Sequence, residues 1–102
     1  NNILREKIKS IYNNKYIFIA SNNIEFIKNL NLNLNYVYFE HNIEYSSFID
    51  QYICSQSEIF YYLNLENTRF GNIHNRSTFT SFIIDYRNHL LNIPNNKNIN
   101  LN

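Results

Sequence analysis

The sequence predicts an α/β domain with a short parallel sheet covered by helices on both faces. Three short apolar runs rich in β-branched and aromatic residues, at 15–21, 35–40 and 58–63, are typical of buried strands. Segments with helical spacing of apolar residues alternate with these runs, in the order α-β-α-β-α-β-α with short connections. This alternation implies parallel β-α-β units with right-handed crossovers.

Each helix is predicted from its apolar positions and its start signal. The three polar residues at 21–23 offer N-cap chemistry for the second helix, and "STFTSFIIDYRNHLL" is the last helix. The apolar faces comprise Ile3, Leu4, Ile8, Ile11 and Tyr12 in the first helix, Ile24, Phe26, Ile27 and Leu30 in the second, and Phe48, Ile49, Tyr52 and Ile53 in the third.

We expect residues 1–91 to form the domain. Residues 92–102 form an Asn-rich tail that carries the only proline and shows little drive to pack. Because the 102 residues contain no Met, we expect the chain to be a fragment of a longer one.

Composition argues against several classes of function. The net charge of +1, without runs of like charge, argues against nucleic-acid binding, and no apolar stretch has the length of a membrane span. A single cysteine, Cys54, excludes an internal disulfide and a Cys-based zinc cluster, and its apolar context predicts burial. His41, His74 and His89 lie far apart without the spacing of metal ligands, so we expect no metal.

The candidate site is the turn "GNIHNRSTFT" at 71–80, which leads into the last helix. In parallel sheets, ligands bind where the carboxyl ends of strands lead into helices. A helix N-terminus attracts anions, and Ser77, Thr78 and Thr80 add hydroxyl donors there, with His74 and Arg76 just upstream. These residues therefore suit a phosphate, although Ser and Thr are also the usual N-caps.

Three segments in order, "YIFIASNNIEFIKNL", "FIDQYICSQSEIF" and "GN…STFTSFIIDYRN", resemble the carboxyl-terminal half of the GDP-fucose protein O-fucosyltransferases. The likeness runs from about residue 16 to residue 87. The type that modifies thrombospondin-like repeats is most similar, through "DQYICSQSEIF" and "STFTSF".

The resemblance implies a Rossmann-like three-layer domain that forms the C-terminal half of a two-domain GT-B-type glycosyltransferase. The enzyme would transfer fucose from GDP-fucose to Ser or Thr hydroxyls of an acceptor protein, with inversion and without a metal or other cofactor. The catalytic residues are expected upstream, in a His-x-Arg-Arg-x-Asp-like motif, so the isolated chain is expected to be inactive. The resemblance implies the endoplasmic reticulum or secretory pathway, with the cytoplasm as the alternative.

The resemblance also assigns site residues. Ser77 and Thr78 match the hydroxyl pair that contacts the β-phosphate, and Phe79 matches the aromatic residue at the donor pocket. Asp50 matches the acid that recognises the guanine edge; without the resemblance it would be a solvated helix residue or the partner of a nearby base. Asn22 stands where the family often has Asp, so it could bond the nucleotide but brings no charge.

Other positions depart from the family or carry structural expectations. Arg87 matches an arginine that we interpret as structural, paired with Asp85 or Glu58. The chain has extra residues within 61–70 and again within 73–76. Asn75 begins a glycosylation sequon, and a glycan there would crowd the proposed phosphate turn, so we interpret the sequon as a chance match.

Two alternatives to a protein O-fucosyltransferase stay open. One is another nucleotide-sugar transferase built from two Rossmann domains. The other is a non-catalytic α/β domain retained for contacts with proteins.

Overall fold

The computed structural model describes residues 2–21, 23–38, 46–63 and 77–102, and it confirms the predicted order of the helices and strands. Helix α1 spans Asn2–Ile11, strand β1 Ile17–Phe18, helix α2 Ile24–Asn29 and strand β2 Tyr36–Val37. Helix α3 spans Ser46–Ser55, strand β3 Phe60–Tyr62 and helix α4 Thr78–Asp85. A π-helical turn (Tyr86–Leu90), a 3₁₀ turn (Asn95–Lys97) and strand β4 (Asn98–Asn100) complete the chain.

The strands pair in parallel, as predicted for a small α/β protein. Strand β1 pairs with β2, with Ile17 opposite Tyr36, and β3 pairs with β4, with Phe60 opposite Asn98. Across the described ranges these pairs are separate two-stranded sheets, whereas the sequence predicted one sheet. The residues of β1 are half-buried, and the burial on both faces that the sequence predicted is not reached.

The chain divides into two compact units, one up to Asp50 and the other from Gln51 onward. The first unit buries Leu4 together with apolar residues of α2 and its C-terminal end, namely Ile27, Leu30 and Leu32. The second unit buries Phe60, Ile83, Ile84 and Cys54. The predicted burial of Cys54 is thereby confirmed.

Helix α3 buries a different face from the one that the sequence predicted. Phe48 and Tyr52 are 67% and 64% exposed, whereas Asp50 is 3% exposed and Cys54 is buried. The helical spacing was correct, but the larger apolar side chains point to solvent. Periodicity identifies a face without deciding which side of the helix packs inward.

The N-cap predicted at residues 21–23 is confirmed for helix α2. Asn23 has an extended backbone, and its side-chain oxygen accepts a hydrogen bond from the Phe26 amide at 3.2 Å. The Ser21 hydroxyl in turn accepts a hydrogen bond from the Asn23 amide at 3.0 Å. These bonds satisfy donors that lack a partner within the helix.

The tail contains more regular structure than its composition predicted. Asn92 takes the left-handed conformation (φ 56°) and ends the helical segment, and the Ile93 amide donates to the Arg87 carbonyl at 2.8 Å. Strand β4 then pairs with β3, and the Leu101 amide extends the ladder by donating to the Tyr62 carbonyl at 2.8 Å. The tail thus pairs with β3 through its main chain, although none of its residues is buried.

Candidate functional site

The start of helix α4 is closed by a side-chain cap. Ser77 has an extended backbone (φ −65°, ψ 159°), and its hydroxyl oxygen accepts a hydrogen bond from the Thr80 amide at 3.1 Å. The same hydroxyl donates to the Thr80 side-chain oxygen, also at 3.1 Å. Both the donor and one acceptor position of the Ser77 hydroxyl are therefore used in shaping the helix start.

Two backbone donors at this end of the helix have no acceptor within the helix. The first main-chain bond of α4 runs from the Ser81 amide to the Ser77 carbonyl at 2.9 Å. The amides of Thr78 and Phe79 precede that bond, so they have no acceptor within the helix. These amides also lie at the positive end of the helix dipole, where a negative charge is stabilised.

Exposure differs among the residues predicted to form this turn. Thr78 is exposed, Ser77 and Phe79 are half-buried, and Thr80 is buried. An anion can therefore approach this turn from solvent at Thr78. The arrangement suits an oxyanion such as phosphate.

The other end of the same helical segment is anchored by Arg87, which lies in the π turn and is fully buried. Its Nε donates to the Asn98 side-chain oxygen at 2.6 Å. Its two terminal nitrogens donate to main-chain carbonyls at the end of α3, before β3 and before β4, those of Ser55, Ser57, Glu58 and Lys97. These buried hydrogen bonds confirm the structural role predicted for Arg87, but neither predicted carboxylate is among these acceptors: the bond to Glu58 is to its main-chain oxygen.

The Arg87 acceptors also explain how a buried cation is tolerated. Ser55 is the last residue of α3, and carbonyls at the C-terminal end of a helix carry partial negative charge. Burial lowers the pKa of the Arg87 guanidinium from its usual value, and the nearby Cys54 acts in the opposite direction. The sequence indicated an arginine of structural importance, but Asn98 lies in a segment without any strand signal, so this partner was missed.

Asp50, the predicted guanine-reading residue, is 3% exposed and belongs to the first unit, whereas the α4 start belongs to the second. Its burial excludes the interpretation of Asp50 as a solvated helix residue. In this conformation its carboxylate is also closed to a nucleotide in solution.

Several predicted contributors lie outside the described residues. These are Asn22, Gly71, His74 and Arg76, together with the sequon at Asn75. Within the ranges that the structure describes, no cluster of three or more His, Cys, Asp or Glu side chains could hold a metal ion. No helix in those ranges is long and apolar enough to cross a lipid bilayer.

Comparison with known proteins adds no relative to this picture. No family model, curated protein or solved structure matches the chain.

Proposed function

We propose that this chain binds the diphosphate of a nucleotide sugar at the start of helix α4, as the donor-binding part of a GDP-fucose-dependent fucosyltransferase. The observation that carries the proposal is the pair of amides at Thr78 and Phe79, which have no acceptor within the helix and stand beside an exposed threonine hydroxyl. The ordered sequence resemblance supports the choice of GDP-fucose as donor and of a protein Ser or Thr as acceptor.

In this proposal the residues at the helix start have different roles. Ser77 positions the helix start through its bonds to Thr80, and the direct phosphate ligands are the Thr78 hydroxyl and the two amides that have no acceptor within the helix. Phe79 is half-buried, so part of its ring is available beside the phosphate turn. Hydrogen bonds from neutral donors to a charged oxygen are worth about 1.5–3 kcal/mol each, roughly twice as much as neutral ones.

The proposed chemistry is stabilisation of the leaving group. As the bond between the sugar and the β-phosphate breaks, negative charge grows on the phosphate oxygens. Fixed N–H and O–H dipoles stabilise that charge more in the transition state than in the ground state, which raises the rate. No metal is needed for this contribution, and the proton acceptor for the incoming hydroxyl would come from another part of the enzyme.

The proposal retains Asp50 as the guanine-recognising carboxylate. A carboxylate accepts hydrogen bonds from the N1 and N2 donors of guanine, a pair that adenine and uracil lack. Because Asp50 is 3% exposed, guanine can reach it only after the surrounding side chains move. Recognition of guanine is therefore expected to require a rearrangement around α3. Binding of the phosphates to α4 is expected to require none.

The sequence resemblance also supports a proposal for the whole enzyme. The chain would form the donor-binding Rossmann-like half of a GT-B-type enzyme of the secretory pathway, with GDP-fucose and an acceptor protein as its partners. The short parallel sheets and the alternating helices support an α/β architecture of this general kind.

The decisive experiment removes the first amide of α4 without disturbing the helix. Proline is well tolerated at the first helical position, and the extended backbone of Ser77 suits a residue that precedes proline. Thr78→Pro therefore deletes one N–H donor and the hydroxyl, while Thr78→Ala deletes the hydroxyl alone and Thr78→Ser keeps both.

Binding of GDP, GMP, UDP and ADP to these variants is measured by calorimetry. We expect wild type and Thr78→Ser to prefer GDP, and Thr78→Pro to bind about tenfold more weakly than Thr78→Ala, as loss of one charge-assisted hydrogen bond requires. Equal affinities of the Pro and Ala variants would refute the anion site. Failure of wild type to bind any of the four nucleotides would instead favour a non-catalytic interaction domain.

A further inference from the structure

The last helical segment exposes several large apolar side chains on one face. Phe82, Asp85, Tyr86, His89 and Leu90 together line an open cavity of about 400 Å³. Phe82 is 53% exposed and Leu90 69% exposed, and the rings of Phe82 and Tyr86 stack with their centroids 6.2 Å apart. We refer to these five residues as the 82–90 face.

The π turn contributes to this face. The Leu91 amide donates to the Tyr86 carbonyl at 3.1 Å, an i→i+5 bond that widens the turn and brings Leu90 into line with Phe82 and Tyr86. The apolar side chains are therefore spaced four residues apart, at 82, 86 and 90. Asp85 and His89, the two polar residues of the face, are also four residues apart, and this spacing places them on one flank of the apolar line.

This order of side chains is self-complementary under a two-fold axis. When two such helices pack antiparallel and cross at Tyr86, each Phe82 faces Leu90 of the other copy and the two tyrosines face each other. A two-fold axis perpendicular to both helices also brings the same flanks together. Each Asp85 carboxylate then meets the imidazole N–H of His89 of the other copy, and this contact occurs twice.

We propose that the 82–90 face is an isologous dimerisation surface, through which a second copy of this chain packs its last helical segment antiparallel to the first. The 82–90 face carries both the acid, Asp85, and its imidazole partner, His89. A second copy of the chain therefore supplies the matching group for each of them, which favours a second copy over an unrelated partner. In a parallel arrangement the two-fold axis would run along the helices and bring opposite flanks together, so Asp85 of one copy would not meet His89 of the other.

The size of the face sets the strength of the association. Stable interfaces bury about 800 Å² on each partner, and five side chains of one helical segment cover less than that. The dimer is therefore weak and concentration-dependent. Sedimentation velocity over a concentration series is expected to show the weight-average mass rising above 12.4 kDa toward twice that value.

Charge-swap variants test the geometry. His89→Asp places two pairs of carboxylates in opposition, and Asp85→Arg places a guanidinium against an imidazole, so each single variant is expected to weaken association by about tenfold. The double variant Asp85→Arg with His89→Asp restores the acid–base pairing and with it the association. Asn96→Asp, which adds a negative charge at an exposed residue outside the face, is the matched control and is expected to associate like wild type.

A cross-linking experiment tests the orientation independently. A mixture of Phe82→Cys and Leu90→Cys chains is expected to form a disulfide-linked heterodimer, and Leu90→Cys chains alone are not, because the two Leu90 positions lie at opposite ends of the contact. The native Cys54 is buried and does not compete.

Two results overturn the proposal. One is a chain that sediments as a monomer at every concentration. The other is a double variant that associates no better than the single variants while its circular dichroism shows that it is folded. If the double variant does not fold, the cross-linking pattern decides, and heterodimers no more abundant than Leu90→Cys homodimers contradict the antiparallel arrangement.

Discussion

Replacing Arg87 is expected to destabilise the second unit more than any other single substitution on the π turn. The guanidinium has five N–H donors, and its acceptors are the main-chain oxygens of Ser55, Ser57, Glu58 and Lys97 and the side-chain oxygen of Asn98. In Arg87→Met the stem volume is largely kept, but all of these acceptors lose their donor.

The size of the effect follows from the number of oxygens left without a donor. An unsatisfied buried acceptor costs about 1–3 kcal/mol, and removing one member of a buried charged network costs about 3–5 kcal/mol. Part of the loss is offset because the guanidinium no longer has to be desolvated. We therefore expect Arg87→Met to lower the free energy of unfolding by about 3–5 kcal/mol.

That loss is large for a chain of 102 residues, whose total stability is expected to be about 5–15 kcal/mol. Arg87→Lys should cost less, about 2 kcal/mol, because an ammonium group has three donors and can still satisfy part of the set. Urea denaturation followed by circular dichroism measures both values from the transition midpoints.

Arg5 provides the matched control for these measurements. It is a half-buried arginine of helix α1, and its guanidinium donates to the exposed Asn2 side chain at 2.8 Å. We expect Arg5→Met to change stability by no more than about 0.5 kcal/mol. An Arg87→Met effect below about 1 kcal/mol, or one equal to that of Arg5→Met, would contradict the structural role argued from the hydrogen bonds.

Three further predictions concern pH and the two ends of the helical segment. Burial lowers the pKa of Arg87, so the folded protein becomes more stable as pH rises from the folded to the unfolded pKa of this group. Arginine titrates only in the alkaline range, and the Arg87→Met effect should therefore be constant in urea titrations from about pH 5 to about pH 9. Ser77→Ala should lower the unfolding free energy by about 1 kcal/mol through loss of the N-cap, while Ser77→Asp retains most of it; equal midpoints for wild type and Ser77→Ala would contradict the cap. Asn92→Ala should cost about 1 kcal/mol because Asn92 has a positive φ, and Asn92→Gly, the control, should cost nothing; thermal melts distinguish the two.

The sequence predicted those parts of the fold that depend on local chemistry. The strands β1, β2 and β3 lie within the apolar runs, and the caps at Asn23 and Ser77 are residues with side-chain acceptors at the predicted helix starts. Both signals are local, because an apolar run or a capping hydroxyl acts on its immediate neighbours.

The parts that were missed depend on distant contacts. Strand β4, "NIN", has low intrinsic preference for a strand, and it forms because main-chain groups of β3 and the Arg87 guanidinium lie within reach of Asn98 and Lys97. Helix α3 likewise has a clear apolar face, yet it is Asp50 and Cys54 that are buried. The helix start at Ser77 and Thr78 was predictable because capping is local, whereas the burial of Asp50 was not.

The helical segment from Thr78 to Leu90 separates the proposed binding function from the source of stability. Its N-terminal end presents the exposed Thr78 hydroxyl and two amides without acceptors in the helix, and its C-terminal end holds the buried Arg87. Arg87 supports the fold of the second unit through its buried hydrogen bonds, while the proposed phosphate ligands all lie at the other end of the segment.

This arrangement predicts opposite effects of two substitutions. Arg87→Lys should lower the urea midpoint while leaving the GDP dissociation constant of the folded protein unchanged, because no phosphate ligand is altered. Thr78→Pro should weaken GDP binding by about tenfold relative to Thr78→Ala while leaving the midpoint nearly the same, because the first helical position accepts proline. If both substitutions changed affinity and stability in proportion, the weaker binding would reflect loss of the folded state, and the helix start would not be a binding site.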